Sequence, residues 1–540
     1  MKKRYLILLV IIVLGIFLRF FKLQYFPVQL NHDEISQLYD AISIAQTGKD
    51  IYGNFLPTMF QSVNDFKSPF YTYATTLTYF ILGDHEWIIR IPGAIFGVLI
   101  IIASYLFVLR LLRNYKIALL SSFLISTSPS EIFFSRKSFE NGAGIFFMLI
   151  AFYFLLSFIE KQKIIRFLYL GITFMAVGMY TYFSHAMIIP LMLGVFILIF
   201  RKSLTGSKKK IIFVLLYWIL LITPLFVVIL TNPASRYRSQ TVFITQDMNL
   251  VKRMEHTNKY KAILDFSFNR YLDQFNPAFI FGNGLAFTNQ GPLDMGLLFF
   301  IQLPFLILGV IYLIKLENFH KERRFILAWI LVGMLPSGLT FETHSPHRSI
   351  MVFTMLNIIT AVGLYASFRK IMRTQIKFAL IKKFSLLFLI ALFITNNIYF
   401  IHLYYVNFPY EKSQEIHYPF KQVAQFARSK RDEVDQIIFD PLFGETAPVI
   451  GTATHYYLAY YGNFPPAKFQ KEYRLGTRER EVLFDKFSIR KIDWRKDKDL
   501  KNVLIIGSIW SLPIDSISKD KIIKTFYYYN KQPAFYVVKL

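Results

Sequence analysis

Residues 1–34 read MKKRYLILLVIIVLGIFLRFFKLQYFPVQLNHDE. Lys2, Lys3 and Arg4 precede an apolar run that reaches Phe21. Such a start resembles a signal peptide, but no small-residue cleavage site follows it. The stretch therefore reads as a retained anchor with a cytoplasmic N-terminus. Directly after it come Asn31, His32, Asp33 and Glu34, which place two carboxylates at the edge of a membrane.

The rest of the chain extends this pattern. Its 540 residues are 54% apolar, with a mean hydropathy of +0.40. Further apolar spans fall near 87–109, 116–129, 140–159, 164–182, 185–200, 211–230, 294–314, 324–340, 348–367 and 383–403. Segments of ~20 apolar residues are the length a bilayer requires. The expectation is an all-α polytopic membrane bundle of about 11 spans. Phe and Tyr, 58 and 33 in number, suit lipid-facing helices and interfacial belts. The absence of Cys excludes disulfides, thiolate nucleophiles and thiolate metal sites.

The net charge of +27 does not point to nucleic acid, because much of it lies in short loops between spans. Arg110, Arg113 and Lys116, then Lys161, Lys163 and Arg166, then Arg201, Lys202 and Lys208 to Lys210, then Lys321, Arg323 and Arg324, then Arg369, Lys370, Arg373, Lys377, Lys382 and Lys383 all fall on the N-terminal side. The positive-inside rule makes that side cytoplasmic. An odd number of spans then puts the C-terminal part outside. The expected division is a transmembrane domain over 1–403 and a small extracytoplasmic α/β domain over 404–540. The strand-like runs Gln436–Phe439, Val503–Ile506 and Phe535–Val538 support the second.

Two further outer segments interrupt the bundle. In 22–86, Ile35, Leu38, Ile42 and Ala45 recur at helical spacing, as in a helix lying on a membrane. Ser68 and Pro69 can open a second helix that Gly83 ends. The other, 231–293, holds Arg236, Arg238 and an aromatic stretch from Tyr271 to Phe287. A loop of that length is usually functional or disordered, and it could close over a bound donor.

Several residues could carry chemistry. Asp33 can act as a general base with Glu34 beside it; the competing reading is a capping box from Asn31 to Glu34. Lys67, just before a helix start, can hold an anion, or snorkel at the interface. Arg136 and Glu140 stand four apart, the spacing of a local salt bridge. In Glu342-Thr343-His344-Ser345-Pro346-His347-Arg348, Arg348 can bind phosphate, or simply anchor the span at the interface. A metal on Glu342, His344 and His347 is the weaker reading, because Pro346 breaks the helical spacing. By this topology all these groups face one side, and the span centres carry few charges. A transporter would instead place charges near the midplane.

These motifs, in this order and on this side, resemble the GT-C membrane glycosyltransferases, in particular the protein O-mannosyltransferase and aminoarabinose transferase branch. The residues that carry the resemblance are Asp33-Glu34, Lys67-Ser68-Pro69-Phe70-Tyr71, the Pro129, Arg136, Glu140 hairpin and Pro346-His347-Arg348. The resemblance covers about 1–400. It implies inverting transfer of a sugar from a polyprenyl-phosphate-linked donor to a hydroxyl acceptor at the outer face, without a cofactor. Asp33 would be the base, with Glu34 as second candidate or orienter. Lys67 and Arg348 would hold the leaving phosphate, and Arg136, Glu140, Tyr39 and His347 would line the cavity. The alternatives are a flippase for lipid-linked sugars, which releases no free lipid phosphate, and a membrane-anchored binding protein, which would need the residues after about Tyr404 and not Asp33.

Overall fold

The computed structural model describes residues 2–62, 65–160, 164–204, 208–232, 242–288, 291–316, 319–373, 379–478 and 480–540. Lys161, Lys163, Arg236, Arg238 and Lys377 lie outside them. The chain forms two compact units. One comprises residues 1–23, 68–70 and 90–404; the other comprises 24–67, 71–89 and 405–540.

The first unit is helical. Each span expected from the sequence falls on a helix, from Lys2–Phe20 to Ala379–His402. Six helices among the described residues are long and apolar enough to cross a membrane, or seven if one bent pair counts as a span. By that measure about eleven is not confirmed. Ile165–Met179 and Leu303–Lys315 are shorter, while Lys2–Phe20 and His320–Gly338 carry basic clusters at their starts. The chain is a membrane protein of polytopic helical build.

Local sequence explains two features of this bundle. Tyr115–Thr127 and Pro129–Ser135 meet at 57°. Pro129 disfavours helical backbone in the residue before it, and Ser128 is extended, at φ −64° and ψ 132°. Elsewhere, Leu303–Lys315 packs closely on Pro346–Arg373 because both carry glycine at the contact. A Cβ on Gly363 would stand 1.8 Å from the Phe305 carbonyl oxygen, and one on Gly309 would stand 2.1 Å from that of Ile359. Small residues let membrane helices approach in this way. Some buried polar groups here pair with one another: Gln302 donates to Asn357 at 2.8 Å, and Thr354 donates to Glu131 at 2.5 Å.

The second unit is built on a seven-stranded sheet. Its order is Ile522–Tyr527, Pro533–Lys539, Val503–Gly507, Gln436–Phe439, Phe487–Ile489, Val482–Phe484, Arg474–Leu475. The three central strands run parallel and the flanking pairs antiparallel. All three strand-like runs of the sequence are strands. One apolar cluster joins Ile35, Leu38, Tyr39 and Ile42 to Phe420, Tyr456, Tyr457, Phe464 and Phe469.

That cluster corrects one expectation. The helix His32–Thr47 does not turn its apolar face to a membrane. Residues 34–44 are all buried, and the groups that bury them are aromatic side chains of the C-terminal part. The helix Pro69–Leu82 begins and ends where the sequence places it, with Gly83 at φ +80°.

Candidate active site

In the second unit, Asn31 caps the helix His32–Thr47. Its Oδ1 accepts from the backbone N–H of Asp33 at 2.8 Å and of Glu34 at 2.9 Å. Glu34 Oε2 accepts in return from Asn31 N–H at 3.2 Å, which closes the capping box. The two acids therefore part company. Glu34 is buried in the cap, whereas the Asp33 side chain is 45% exposed.

Lys67 ends the strand Asp65–Lys67, which pairs with Phe60–Ser62. That pairing aims its buried ammonium at the helix start. Nζ lies 2.7 Å from Asp33 Oδ1, and donates to the Asp33 carbonyl at 3.2 Å and to Ser36 Oγ at 3.4 Å. The sequence reading gave this lysine to a phosphate; here its donors go to Asp33 and Ser36. His32 Nε2 stands 3.6 Å from Asp33 Oδ2, and the His417 ring lies 5.4 Å from that of His32. Burial, with His32 second, pushes His417 down to about 3, so it is neutral at ordinary pH. Tyr457 donates to the Leu30 carbonyl at 2.7 Å. Burial, then the charges of Glu34 and Asp33, push its phenol well up.

Tyr39, expected at a cavity, is packed instead. Its hydroxyl donates to the Phe464 carbonyl at 2.7 Å, and its ring meets Tyr456 and Phe469 edge to face.

In the first unit, Arg348 and His347 sit in the first turn of the helix Pro346–Arg373. Arg348 Nη2 lies 3.4 Å from Glu342 Oε2, while Nη1 is buried with no hydrogen-bond partner. The same arginine borders a cavity of about 300 Å³, whose other walls include Tyr182, Phe183, Met187, Ile229 and Leu339. Those walls are largely apolar, so a charged group at one end stands out. The His347 ring lies near Phe139 and Tyr182, and its carbonyl accepts from Asn141. His344 turns away, between Phe279 and Phe287, with Nε2 3.4 Å from Asp273 Oδ2. Burial lowers its pKa, opposed by Asp273. Among the described residues, no three His, Asp or Glu side chains converge as a metal site.

Arg136 takes a different place from the one expected. It is fully buried, and donates to the carbonyls of Leu18 and Arg19 at 3.1 and 2.9 Å. Those are the open carbonyls at the end of the helix Lys2–Phe20, where a guanidinium also answers the helix dipole. Its Nε donates to the Tyr404 hydroxyl at 3.3 Å. Glu140 is buried just before the helix Asn141–Glu160.

Sequence reasoning missed Ser36, Asn141 and His417. Ser36, one turn after Asp33, was within reach of helical spacing. His417 is separated from Asp33 by most of the chain, and nothing local marks it.

Residues 66–228 match the family model described as dolichyl-phosphate-mannose-protein mannosyltransferase. No curated protein matches the chain. Among solved structures, ArnT from Cupriavidus metallidurans bound to undecaprenyl phosphate is similar over 99% of this chain and 97% of that one, at 12% identity and a TM-score of 0.55. The oligosaccharyltransferase of Archaeoglobus fulgidus tethered with an acceptor peptide is similar over 85% of this chain and 63% of that one, at 12% identity and a TM-score of 0.51. AglB from the same organism, in complex with an inhibitory peptide and a dolichol-phosphate, is similar over 85% and 63%, at 12% identity and 0.50. The resemblance read from the sequence is borne out at the level of the fold: the chain has the GT-C architecture, a helical membrane bundle joined to a small α/β unit.

Proposed function

We propose that this chain is an inverting glycosyltransferase that moves a sugar from a polyprenyl-phosphate-linked donor to a hydroxyl acceptor at the outer face of the membrane. The observation that carries this reading is Arg348 at the border of its apolar cavity. Apolar walls suit a prenyl chain, and a buried guanidinium nitrogen without a partner suits one phosphate oxygen. The likeness to ArnT bound to undecaprenyl phosphate supports the same class of ligand.

Asp33 is the proposed base. Its carboxylate takes the acceptor hydroxyl proton as that oxygen bonds to the anomeric carbon. The bond from that carbon to the phosphate oxygen breaks, and the electron pair leaves on the lipid phosphate. Arg348 offsets the charge that develops there. Lys67 acts through Asp33, whose carboxylate it pairs with and fixes in direction. Glu34 holds the helix start. The charge pattern of the loops supports a cytoplasmic N-terminus and an outer C-terminal part.

The test is Asp33→Asn in membranes supplied with labelled polyprenyl-phosphate sugar. Loss of a general base lowers transfer by about 10²–10⁴-fold, with the protein still accumulating. Near-normal transfer removes Asp33 from the mechanism. Free lipid phosphate released in step with transfer separates this reaction from mere movement of the donor across the bilayer.

A further inference from the structure

The helix Lys259–Asp273 has two apolar faces. Ala262, Ile263 and Phe266 pack against Ile244, Leu250 and Met254 of the neighbouring turns. On the other side Tyr260, Leu264, Phe268 and Leu272 recur every fourth residue, and they are 82%, 70%, 59% and 50% exposed. A stripe of that spacing forms one continuous face. Exposed apolar patches of this kind mark a partner or a membrane.

Two observations choose the membrane. First, the stripe continues into a lipid-facing flank. Tyr271 donates to the Leu331 carbonyl at 2.9 Å, and its Cα and Cβ lie against Gly338. Leu327 and Leu331 are themselves exposed on the helix His320–Gly338, within the apolar stretch that reads as a span. Second, the exposed charges on this helix are mostly basic, Lys259 and Lys261 against Asp265, whereas Arg253 of the preceding helix stands over Phe266 on the other face. An apolar face bordered by lysine is the pattern of a helix lying in an anionic interface. The helix is also fixed to the bundle. Ile244 N–H donates to the Leu339 carbonyl at 3.0 Å, and Gln274 donates to the Thr343 carbonyl at 2.8 Å.

We propose that the helix Lys259–Asp273 docks in one leaflet, with Tyr260, Leu264, Phe268 and Leu272 among the acyl chains and Lys259 and Lys261 at anionic headgroups. This goes beyond sugar transfer and holds whether or not that activity does. Docking would seat the turn that precedes Arg348 at a defined depth.

The chain lacks cysteine, so single cysteines can be introduced without background. The full chain carrying Leu264→Cys, Phe268→Cys or Asn269→Cys is labelled with a nitroxide in vesicles of phosphatidylcholine, with and without phosphatidylglycerol. Labels at 264 and 268 are expected to relax faster with oxygen than with an aqueous nickel chelate, and the label at 269 the reverse. Equal access of the chelate to all three overturns docking. So does cross-linking of the 264 or 268 cysteine to a second copy or another polypeptide, which would show a protein covering the face. Phosphatidylglycerol is expected to deepen the 264 label, and replacing Lys259 and Lys261 by glutamine to abolish that response. A depth indifferent to phosphatidylglycerol overturns the headgroup assignment.

Discussion

Asp33 and Lys67 form a pair whose division of labour can be measured. A lysine that acts through Asp33 affects the chemical step and leaves donor binding alone. Lys67→Met is therefore expected to lower kcat with donor KM nearly unchanged, and Lys67→Arg to restore part of the rate. A rise in donor KM alone would return Lys67 to the leaving phosphate. Arg348→Lys should do the opposite, raising donor KM, because an ammonium cannot reproduce a guanidinium's planar fork. The buried histidines carry a separate prediction. Burial takes His417 to about 3 and His455 to about 4. Unfolded histidines take up protons below about 6.5, so the unfolded state binds more protons as the pH falls. Stability is then lost from about pH 6.5 downward, by roughly 1.4 kcal/mol per pH unit for each histidine. Urea midpoints between pH 7 and 5 check this, and His417→Phe should flatten the slope.

At the scale of elements, the sequence carried some features and withheld others for clear reasons. The capping box was legible because its members stand three residues apart. Asn31→Ala should cost about 1 kcal/mol and loosen the backbone that aims Asp33, seen as lower activity before any loss of protein. The helix Pro69–Leu82 was legible for the same reason, through Pro69 and Gly83. The burial of His32–Thr47 was not. An amphipathic stripe says that a face must be covered, not by what, and Tyr456, Phe464 and Phe469 lie more than four hundred residues away. Arg136 shows a similar ambiguity: four-residue spacing to Glu140 is visible in the sequence, whereas the carbonyls of Leu18 and Arg19 at the end of another helix are not. The glycine contact is the element-scale feature with the sharpest test. Gly363→Ala forces a methyl against the Phe305 carbonyl and should cost about 1–3 kcal/mol or more. Gly142→Ala meets nothing within 4 Å and serves as the control. Thermal unfolding in detergent reads both.

For the whole molecule, apolar length marked the helices well, since each expected span lies on one. It did not mark which parts of the chain would share a core. The unit that holds Asp33 is assembled from residues 24–67, 71–89 and 405–540. A chain cut after Tyr404 is expected to lose more than its C-terminal sheet. Ile35, Leu38, Tyr39 and Ile42 would be left without Tyr456, Phe464 and Phe469, so protease should cleave 24–67 rapidly. Intact resistance in the truncated chain would contradict this.

That discontinuity also has a timetable. A ribosome working at about 5–20 residues per second needs roughly 15–60 s to make the stretch between the early segments and the late one. Throughout that interval the nascent helix at His32–Thr47 has its greasy side without the aromatic residues that shelter it in the folded chain. The cell must hold it in a non-native arrangement, on lipid or on a holdase, until residues 405–540 arrive. Maturation of the Asp33 region must thereby wait for residues 405–540, and cells short of chaperones should lose this protein before they lose membrane proteins whose folding is local.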